Sequence, residues 1–93
     1  MTDKPYRFRL YIVGGQVGSL RAEPDLRRTL DACVGGQYEL EVIDVRARPD
    51  LVEADRVLAA PTVVRLTPSP VRRAIGTMSE ATRVASALGL PPC

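Results

Sequence analysis

The sequence contains no histidine, and only two of its 93 residues, Cys33 and Cys93, are cysteines. Histidine is the commonest general base and metal ligand in proteins, so its absence argues against acid–base catalysis and against a metal site. The two cysteines lie sixty positions apart, which is no disulfide framework. We therefore expect reduced thiols in a reducing cytoplasm, and we predict no cofactor.

Long hydrophobic runs are also missing. No apolar run approaches the roughly 20 residues that a membrane-spanning helix needs, and the first residues lack the apolar region of a secretory signal. Aromatic residues are few, and none follows Tyr38, so the second half of the chain offers nothing on which bases could stack. The sequence therefore favours neither a membrane nor a nucleic acid as a partner.

Acidic residues are absent from one long segment, although the net charge of the chain is only +2. Residues 56–79 contain four arginines, Arg56, Arg65, Arg72 and Arg73, and no aspartate or glutamate. A local basic surface can bind nucleic acid or an acidic protein surface. Without aromatic residues the protein partner is the better hypothesis, and the alternative is a solvated arginine face that binds nothing.

The first half of the chain predicts a strand, a helix and a second strand. The strand covers 6–13, and its all-apolar end indicates cover on both faces. Ser19 could cap a helix, but Pro24 would disrupt it, so we expect a loose turn over 19–23 and a helix from Pro24 to Val34. Its buried stripe would be Leu26, Leu30, Cys33 and Val34.

The second strand covers 37–45 and alternates in character. Tyr38, Leu40 and Val42 share one face, and Glu39 and Glu41 share the other. Exposed glutamates are typical of a strand at the edge of a sheet. A strand–helix–strand unit of this length predicts a right-handed parallel crossover.

The second half predicts a short helix, two strands and a last helix. Pro49 opens the short helix over 49–57, with Arg48 a poor N-cap, and this helix would bury Leu51, Ala54 and Leu58. Strands over 62–66 and 71–75 follow, and Ser79 would cap a helix to Leu88 that Gly89 ends. Its inward residues would be Ala81, Val84, Ala85 and Leu88. The order βαβαββα in one domain, 1–93, predicts an α/β, thioredoxin-like fold.

Pro61 stands where the short helix gives way to the third strand. The run Ala60-Pro61-Thr62 is the arrangement in which thioredoxin-like folds place a cis-proline at the head of a central strand. A plain loop proline before a strand is the alternative. We predict the cis form.

The loop in which thioredoxin-fold enzymes carry a reactive cysteine contains no sulfur here. It is the segment 14–19, from Gly14 to Ser19. A redox or glutathione-handling enzyme would have to use Ser19 or Cys33. Ser19 has no nearby base, and Cys33 lies on the apolar stripe of the helix, where it would fill the core. The pattern therefore argues against an enzyme and leaves a thioredoxin-fold redox enzyme as the alternative function.

Several segments resemble the KaiB family of small clock proteins. The resemblance runs from residue 6 to residue 88 without gaps and is most specific in Ala60-Pro61-Thr62 and in Pro68-Ser-Pro-Val-Arg-Arg-Ala-Ile-Gly76. It also covers 10–14, 19–22, 38–45 and 55–62. The chain departs from the clock pattern at Glu23-Pro24, at Arg48 and at Ser69.

The resemblance implies a non-catalytic cytoplasmic protein that binds the ring ATPase KaiC. In the family, a second partner, KaiA, can pair a strand with the second strand of KaiB, here Tyr38, Leu40 and Val42. The same domain forms the sensory module of a clock histidine kinase, so such a kinase is a further candidate partner. Five of the arginines of this chain are expected to contact the partner: Arg21, Arg56, Arg65, Arg72 and Arg73.

The resemblance also implies that the C-terminal half can adopt two folds. One is the thioredoxin-like monomer that binds KaiC, and the other is a ground-state fold that forms a tetramer. The residues expected to bear on this choice are Pro61, Pro68, Pro70, Ala87 and Gly89. We expect the thioredoxin-like monomer, because Ala87 favours a helix and Gly89 gives it a natural end.

Overall fold

The computed structural model describes residues 4–92 and contains seven elements. They are β1 (Tyr6–Ile12), α1 (Val17–Val34), β2 (Tyr38–Asp44), α2 (Pro49–Ala54), β3 (Thr62–Thr67), β4 (Arg72–Ile75) and α3 (Ala81–Ala87). The predicted order βαβαββα is confirmed.

The four strands form one sheet in the order β2-β1-β3-β4. β1 and β2 are parallel, whereas β3 is antiparallel to β1 and β4 is antiparallel to β3. The predicted parallel crossover is confirmed, and so is the position of β2 at an edge. Because β3 runs back along β1, the loop before β3 lies at the carboxyl ends of β1 and β2.

Both faces of the sheet carry a hydrophobic core. The larger core joins α1 and α3 to one face through Phe8, Leu10, Leu26, Val63 and Leu88. A smaller core on the other face surrounds Tyr11, Ile43, Val57 and Val64, with α2 packed against it. Side chains of β1 therefore point alternately into the two cores, as the apolar end of this strand predicted.

The first helix is longer than predicted and contains Pro24 in its interior. The expected loose turn over 19–23 is wrong. Pro24 and Leu20, whose carbonyl loses its helical partner to the proline, are both exposed, so water can satisfy that carbonyl. Buried residues on both sides of Pro24, among them Ala22 and Leu26, keep the segment helical by packing.

Ser19 is not the helix cap that the sequence predicted. It lies within α1, whose N-cap residue is Gln16. The Ser19 side chain is buried, and its Oγ accepts a hydrogen bond of 2.9 Å from the Val13 N–H. It therefore connects the helix to the end of β1.

The second helix is shorter than predicted and buries other residues. It ends at Ala54, which is exposed, as is Leu58, while Leu51 is partly buried. Val57 is buried in place of Leu58, because the backbone turns through a positive φ of 54° at Arg56. The cap residue Arg48 makes no side-chain cap hydrogen bond, as its poor capping chemistry predicted.

The last helix has the predicted end but not the predicted start. Its N-cap is Glu80, and the Ser79 hydroxyl bonds to that of Thr77. The predicted inward position of Ala81 is wrong, since this residue is exposed. Gly89 has φ 65°, and the Gly89 and Leu90 N–H groups donate to the Ser86 and Ala85 carbonyls, which is a Schellman end.

The cysteine prediction is wrong for Cys33. Its side chain lies near the end of α1 and is disulfide-bonded. The cysteine content therefore gives no support to a reducing compartment. Within residues 4–92, no helix is long and apolar enough to cross a membrane.

Candidate partner-binding surface

The arginines predicted to form one basic face are divided between the two sides of the sheet. Side chains alternate along a strand, so Arg72 lies on the side of α1 and α3, and Arg73 lies on the side of α2. Arg65 pairs with Arg72 across the two strands and shares its side. Arg21 is exposed on α1 and lines a shallow pocket with Thr77 and Ser79.

Arg65 is buried and does not belong to an exposed face. Its side chain is 5% exposed, and its guanidinium donates to the carbonyls of Leu88 (2.9 Å), Gly89 (3.4 Å) and Pro70 (2.8 Å). Two of these carbonyls lie at the C-terminal end of α3, where a cation is stabilised by the helix dipole. Arg65 thus connects β3 to the end of α3 and to the turn before β4.

Arg56 and Arg73 come together on the α2 side. The Arg73 Nη1 donates to the Arg56 carbonyl across 3.1 Å. No ion pair involves either residue within the described part of the chain, whereas nearby Arg46 and Arg48 pair with Asp44 and Asp50. Uncompensated positive charge on this side is therefore concentrated at Arg56 and Arg73.

The predicted edge residues present their backbone to solvent. The Tyr6 N–H donates to the Gln37 carbonyl, and the Val45 N–H donates to the Ile12 carbonyl. Odd-numbered residues of β2 therefore bond to β1, and the N–H and C=O groups of Tyr38, Leu40 and Val42 point away from it. This edge spans the whole of β2 and can accept a partner strand.

The opposite edge, on β4, is less accessible. The Gly76 N–H donates to the Pro61 carbonyl across 2.9 Å, so the backbone groups of Arg73 and Ile75 point outward. The Arg83 guanidinium donates to the outward carbonyl of Ile75 (3.0 Å) and to that of Thr77. A side chain thus occupies part of the β4 edge, and β2 offers the longer free ladder.

Among residues 4–92, Leu58 is the most exposed large apolar side chain, and the sequence does not predict this exposure. It is 96% exposed and lies beside an apolar groove of about 270 Å³. The groove is lined by Val13, Val45, Val52 and residues 57–60. Periodicity placed Leu58 on the buried face of a helix that actually ends earlier, and the sequence carries no signal for the backbone turn at Arg56.

A polar network lies beneath α2. The Tyr11 hydroxyl donates to Asp55 and, across 3.3 Å, to the Leu51 carbonyl, and the Arg9 guanidinium also bonds Asp55 (3.2 Å). Burial, with the hydrogen bond to Asp55, raises the pKa of Tyr11 to about 12. This network fixes the end of α2, from which Arg56 follows.

Asp44 and Arg46 form a second network at the carboxyl end of β1. Asp44 accepts from the Gly14 N–H (3.2 Å) and from Arg46, whose Nη2 also donates to the Gly14 carbonyl (3.2 Å). The hydrogen bonds from Arg46 and Gly14 hold the pKa of Asp44 well below its usual range. The carboxylate is therefore a structural link between the ends of the two strands.

Pro61 is preceded by a cis peptide bond, as predicted, and the bonds before Pro68 and Pro70 are also cis. Pro61 leads directly into β3, and Pro68 and Pro70 lie in the turn between β3 and β4. Ala87 is the last residue of α3, and Gly89 follows its cap. All five residues predicted to influence the fold thus border elements of the C-terminal half.

The loop from Gly14 to Gln16, between β1 and α1, carries no thiol. Ser19 is buried and accepts a hydrogen bond from a backbone N–H, and Cys33 lies in the last turn of the same helix. No group of three or more His, Cys, Asp or Glu that could hold a metal ion occurs among residues 4–92.

Solved structures with a similar fold include proteins of two kinds. The N-terminal domain of Synechococcus elongatus SasA matches 92% of this chain and 81% of its own, with a TM-score of 0.73 and 23% identity. Mitochondrial thioredoxin 3 from Saccharomyces cerevisiae matches 94% of this chain and 79% of its own, with a TM-score of 0.73 and 17% identity. These likenesses establish the thioredoxin-like fold.

Sequence comparison is more specific. A family model of the KaiB domain matches residues 9–90. A circadian clock oscillator protein KaiB from Prochlorococcus marinus (strain MIT 9313) is 45% identical over 94% of this chain and 73% of its own length. A second such KaiB protein, from Synechococcus sp. (strain RCC307), is 44% identical over 94% of this chain and 79% of its own length. The chain belongs to the KaiB family.

Proposed function

We propose that this protein is a non-catalytic regulator in a circadian or timing system and that it acts by binding a KaiC-type ATPase ring. The observation that carries the proposal is the 45% identity to a circadian clock oscillator protein KaiB over 94% of the chain. The proposed location is the cytoplasm.

The proposed ring contact is centred on Arg56 and Arg73. Arg56 is exposed and Arg73 is half-buried; the two lie together and have no carboxylate partner among the described residues. An uncompensated basic patch speeds encounter with an acidic surface and orients it. Arg72 and Arg21 lie elsewhere on the surface and are assigned a secondary role, and Arg65 is assigned a structural one.

The edge of β2 is proposed as the site of a second partner. The outward N–H and C=O groups of Tyr38, Leu40 and Val42 can form backbone hydrogen bonds with a partner strand, which would add to the sheet beside β2. KaiA or a clock histidine kinase would be such partners. Binding there leaves the α2 side accessible, because the edge and the face are separate surfaces.

The thioredoxin-like monomer is the proposed binding form, and exchange with a tetrameric ground-state fold is part of the proposal. The segment that would rearrange, β3 to α3, is held in this form partly by the contacts of Arg65 with Pro70, Leu88 and Gly89. A partner that binds only one form would shift the population toward it.

The experiment is a binding titration of the chain against a KaiC ring with ATP, followed by size-exclusion chromatography of the mixture. The variant Arg56→Glu/Arg73→Glu should weaken binding and reduce its salt dependence. Arg56 is exposed and should contribute little to folding, whereas Arg73 is half-buried and bonds the Arg56 carbonyl, so the melting temperature of the variant is measured beside its affinity. Arg28→Glu, an exposed arginine of α1, is the matched control. Failure of the wild-type chain to bind any KaiC-type ring would refute the proposal.

The alternative of a thioredoxin-fold redox or glutathione-handling enzyme has the fold in its favour and the residues against it. An insulin-reduction assay separates the two functions. Turnover above that of a Cys33→Ser/Cys93→Ser variant would support the enzyme, and we expect none.

A further inference from the structure

The inference concerns the disulfide bond of Cys33. This residue lies in the last turn of α1, is partly exposed and is disulfide-bonded. The chain contains one other cysteine, Cys93, which lies outside the described residues. Cys93 is therefore the one candidate for the partner of Cys33 within the chain.

The fold brings the segments next to these two cysteines onto the same core. Val34 follows Cys33 directly, Leu90 precedes Cys93 by three residues, and both Val34 and Leu90 pack against the larger core. The helices α1 and α3 also contact each other on this side of the sheet. A bond between residues 33 and 93 would therefore join the end of α1 to the segment that follows α3.

The described part of this last segment, residues 90–92, is weakly attached. Leu90 is partly buried, and its N–H donates to the Ala85 carbonyl across 2.9 Å. Pro91 and Pro92 are exposed and have no N–H to donate. A chain end with so little burial opens easily unless it is tied down. A covalent bond just beyond Pro92 would therefore decide how firmly the end of α3 is held.

The cytoplasmic location proposed above exposes this bond to reduction. Disulfides that form in the cytoplasm are usually transient and redox-sensing. The thiolate of a small thiol such as glutathione attacks one sulfur of the bond, forms a mixed disulfide and releases the other cysteine. A second glutathione then displaces the first cysteine, so two electrons and two protons pass to the protein and oxidised glutathione leaves. Because Cys33 is partly exposed, a small thiol can reach it.

We propose that Cys33 and Cys93 form a reversible redox site, whose disulfide holds the end of α3 against α1 and whose reduction by a small thiol releases it. The two cysteines lie sixty positions apart, so the bond closes a loop that contains β2, α2, β3, β4 and α3. Closing a long loop removes many conformations from the unfolded chain and so stabilises the folded form. The inference goes beyond the proposed function, uses only its cytoplasmic location, and makes the stability of the thioredoxin-like form depend on the balance of thiols and disulfides.

The test uses the full chain in buffers of reduced or oxidised glutathione, with Cys33→Ser and Cys93→Ser as matched controls. Alkylation with mass spectrometry counts the free thiols, and urea unfolding measures stability. In the oxidised buffer the wild type should be monomeric, contain no free thiol and have a folding equilibrium constant roughly thirty- to thousandfold above that in the reduced buffer. Amide exchange in α3 should be slower in the same state. Both variants should lose the difference in stability between the buffers, and reduced glutathione should open the bond of the folded wild type.

Three outcomes would overturn the inference. Two free thiols in the oxidised buffer would show that the bond does not form. A mass of two chains that returns to one on reduction would show that the bond joins two copies of the chain. A bond that reduced glutathione opens only in urea would be a permanent structural link. None of these measurements uses the ring ATPase, so failure of ring binding would refute the proposed function and leave this inference to be decided by the thiol count and the unfolding curves.

Discussion

Single residues explain most differences between the predicted and the observed site. Hydropathy predicts an exposed arginine and a buried leucine, and this prediction is wrong for both Arg65 and Leu58. Arg65 is buried because the Leu88 carbonyl at the end of α3 and the Pro70 carbonyl in the β3–β4 turn accept hydrogen bonds from its two Nη atoms, although its Nε has no partner. Leu58 is exposed because the backbone turns two residues earlier, at Arg56. Neither cause is visible in the local sequence. The burial of Arg65 depends on a distant helix, and the exposure of Leu58 depends on the backbone angle at Arg56.

The strained turn at Arg56 can be tested apart from its charge. Arg56→Gly and Arg56→Ala both remove the guanidinium, but only glycine adopts a positive φ freely. A non-glycine residue in the left-handed conformation destabilises the folded state by roughly 1–2 kcal/mol. Glycine avoids this strain, but part of the gain in stability is offset because glycine raises the conformational entropy of the unfolded chain. We expect the glycine variant to be more stable than the alanine variant by about 1 kcal/mol in urea unfolding, with equal loss of ring binding. Equal stability would show that the turn carries no strain.

Tyr11 makes stability depend on alkaline pH. Burial and its hydrogen bond to Asp55 raise its pKa to about 12 from a usual value near 10. The neutral phenol is thus favoured by folding, so its contribution is complete below about pH 10 and is lost as pH rises toward 12. The loss should be on the order of 2 kcal/mol, measured by urea unfolding across that range.

Tyr11→Phe is the control for this pH dependence. It should lower stability at neutral pH, because Asp55 and the Leu51 carbonyl lose a donor. It should also flatten the decline between about pH 10 and 12, leaving the smaller contribution of Tyr38, whose pKa is raised by burial and by its bond to Asp31. An unchanged slope in Tyr11→Phe would assign the alkaline loss to another group.

At the level of elements, the sequence predicted type and order well and boundaries less well. β1 and β2 were found because alternation and apolar runs report directly on burial. α1 was cut short at Pro24, since local proline chemistry argues for a break, whereas packing of Ala22 and Leu26 on the sheet keeps the helix continuous. The division of Arg72 and Arg73 between two faces follows from strand alternation and was available in the sequence. The total charge of a segment does not show this division, which appears only when each arginine is assigned to a face of its strand.

At the scale of the whole molecule, the question is which fold the free chain adopts. We expect the thioredoxin-like monomer, because local preference in the C-terminal third agrees with it. Residues 62–67 are rich in β-branched side chains, which favour a strand. Ala87 favours the helix that Gly89 closes, and Arg65 fastens the end of that helix to β3. Agreement between local preference and tertiary contacts is what specifies one fold over another.

This expectation is tested by backbone chemical shifts with sedimentation of the free chain. Strand shifts across 62–67, helical shifts across 81–87 and a monomeric mass are the expected result. The double variant Ala87→Gly/Gly89→Asp should reduce the helical shifts. Glycine in place of Ala87 weakens the helix by up to about 1 kcal/mol. The backbone at residue 89 has a φ of 65°, which strains a residue with a side chain, and a Cβ there would lie 2.9 Å from Cδ of Arg72. Two folds separated by a few kcal/mol respond to changes of this size. The opposite result would be strand shifts across 79–88, helical shifts across 62–75 and a tetrameric mass in the wild type. It would place the free chain in the ground-state fold, and a partner would then have to bind a minor population of the thioredoxin-like form.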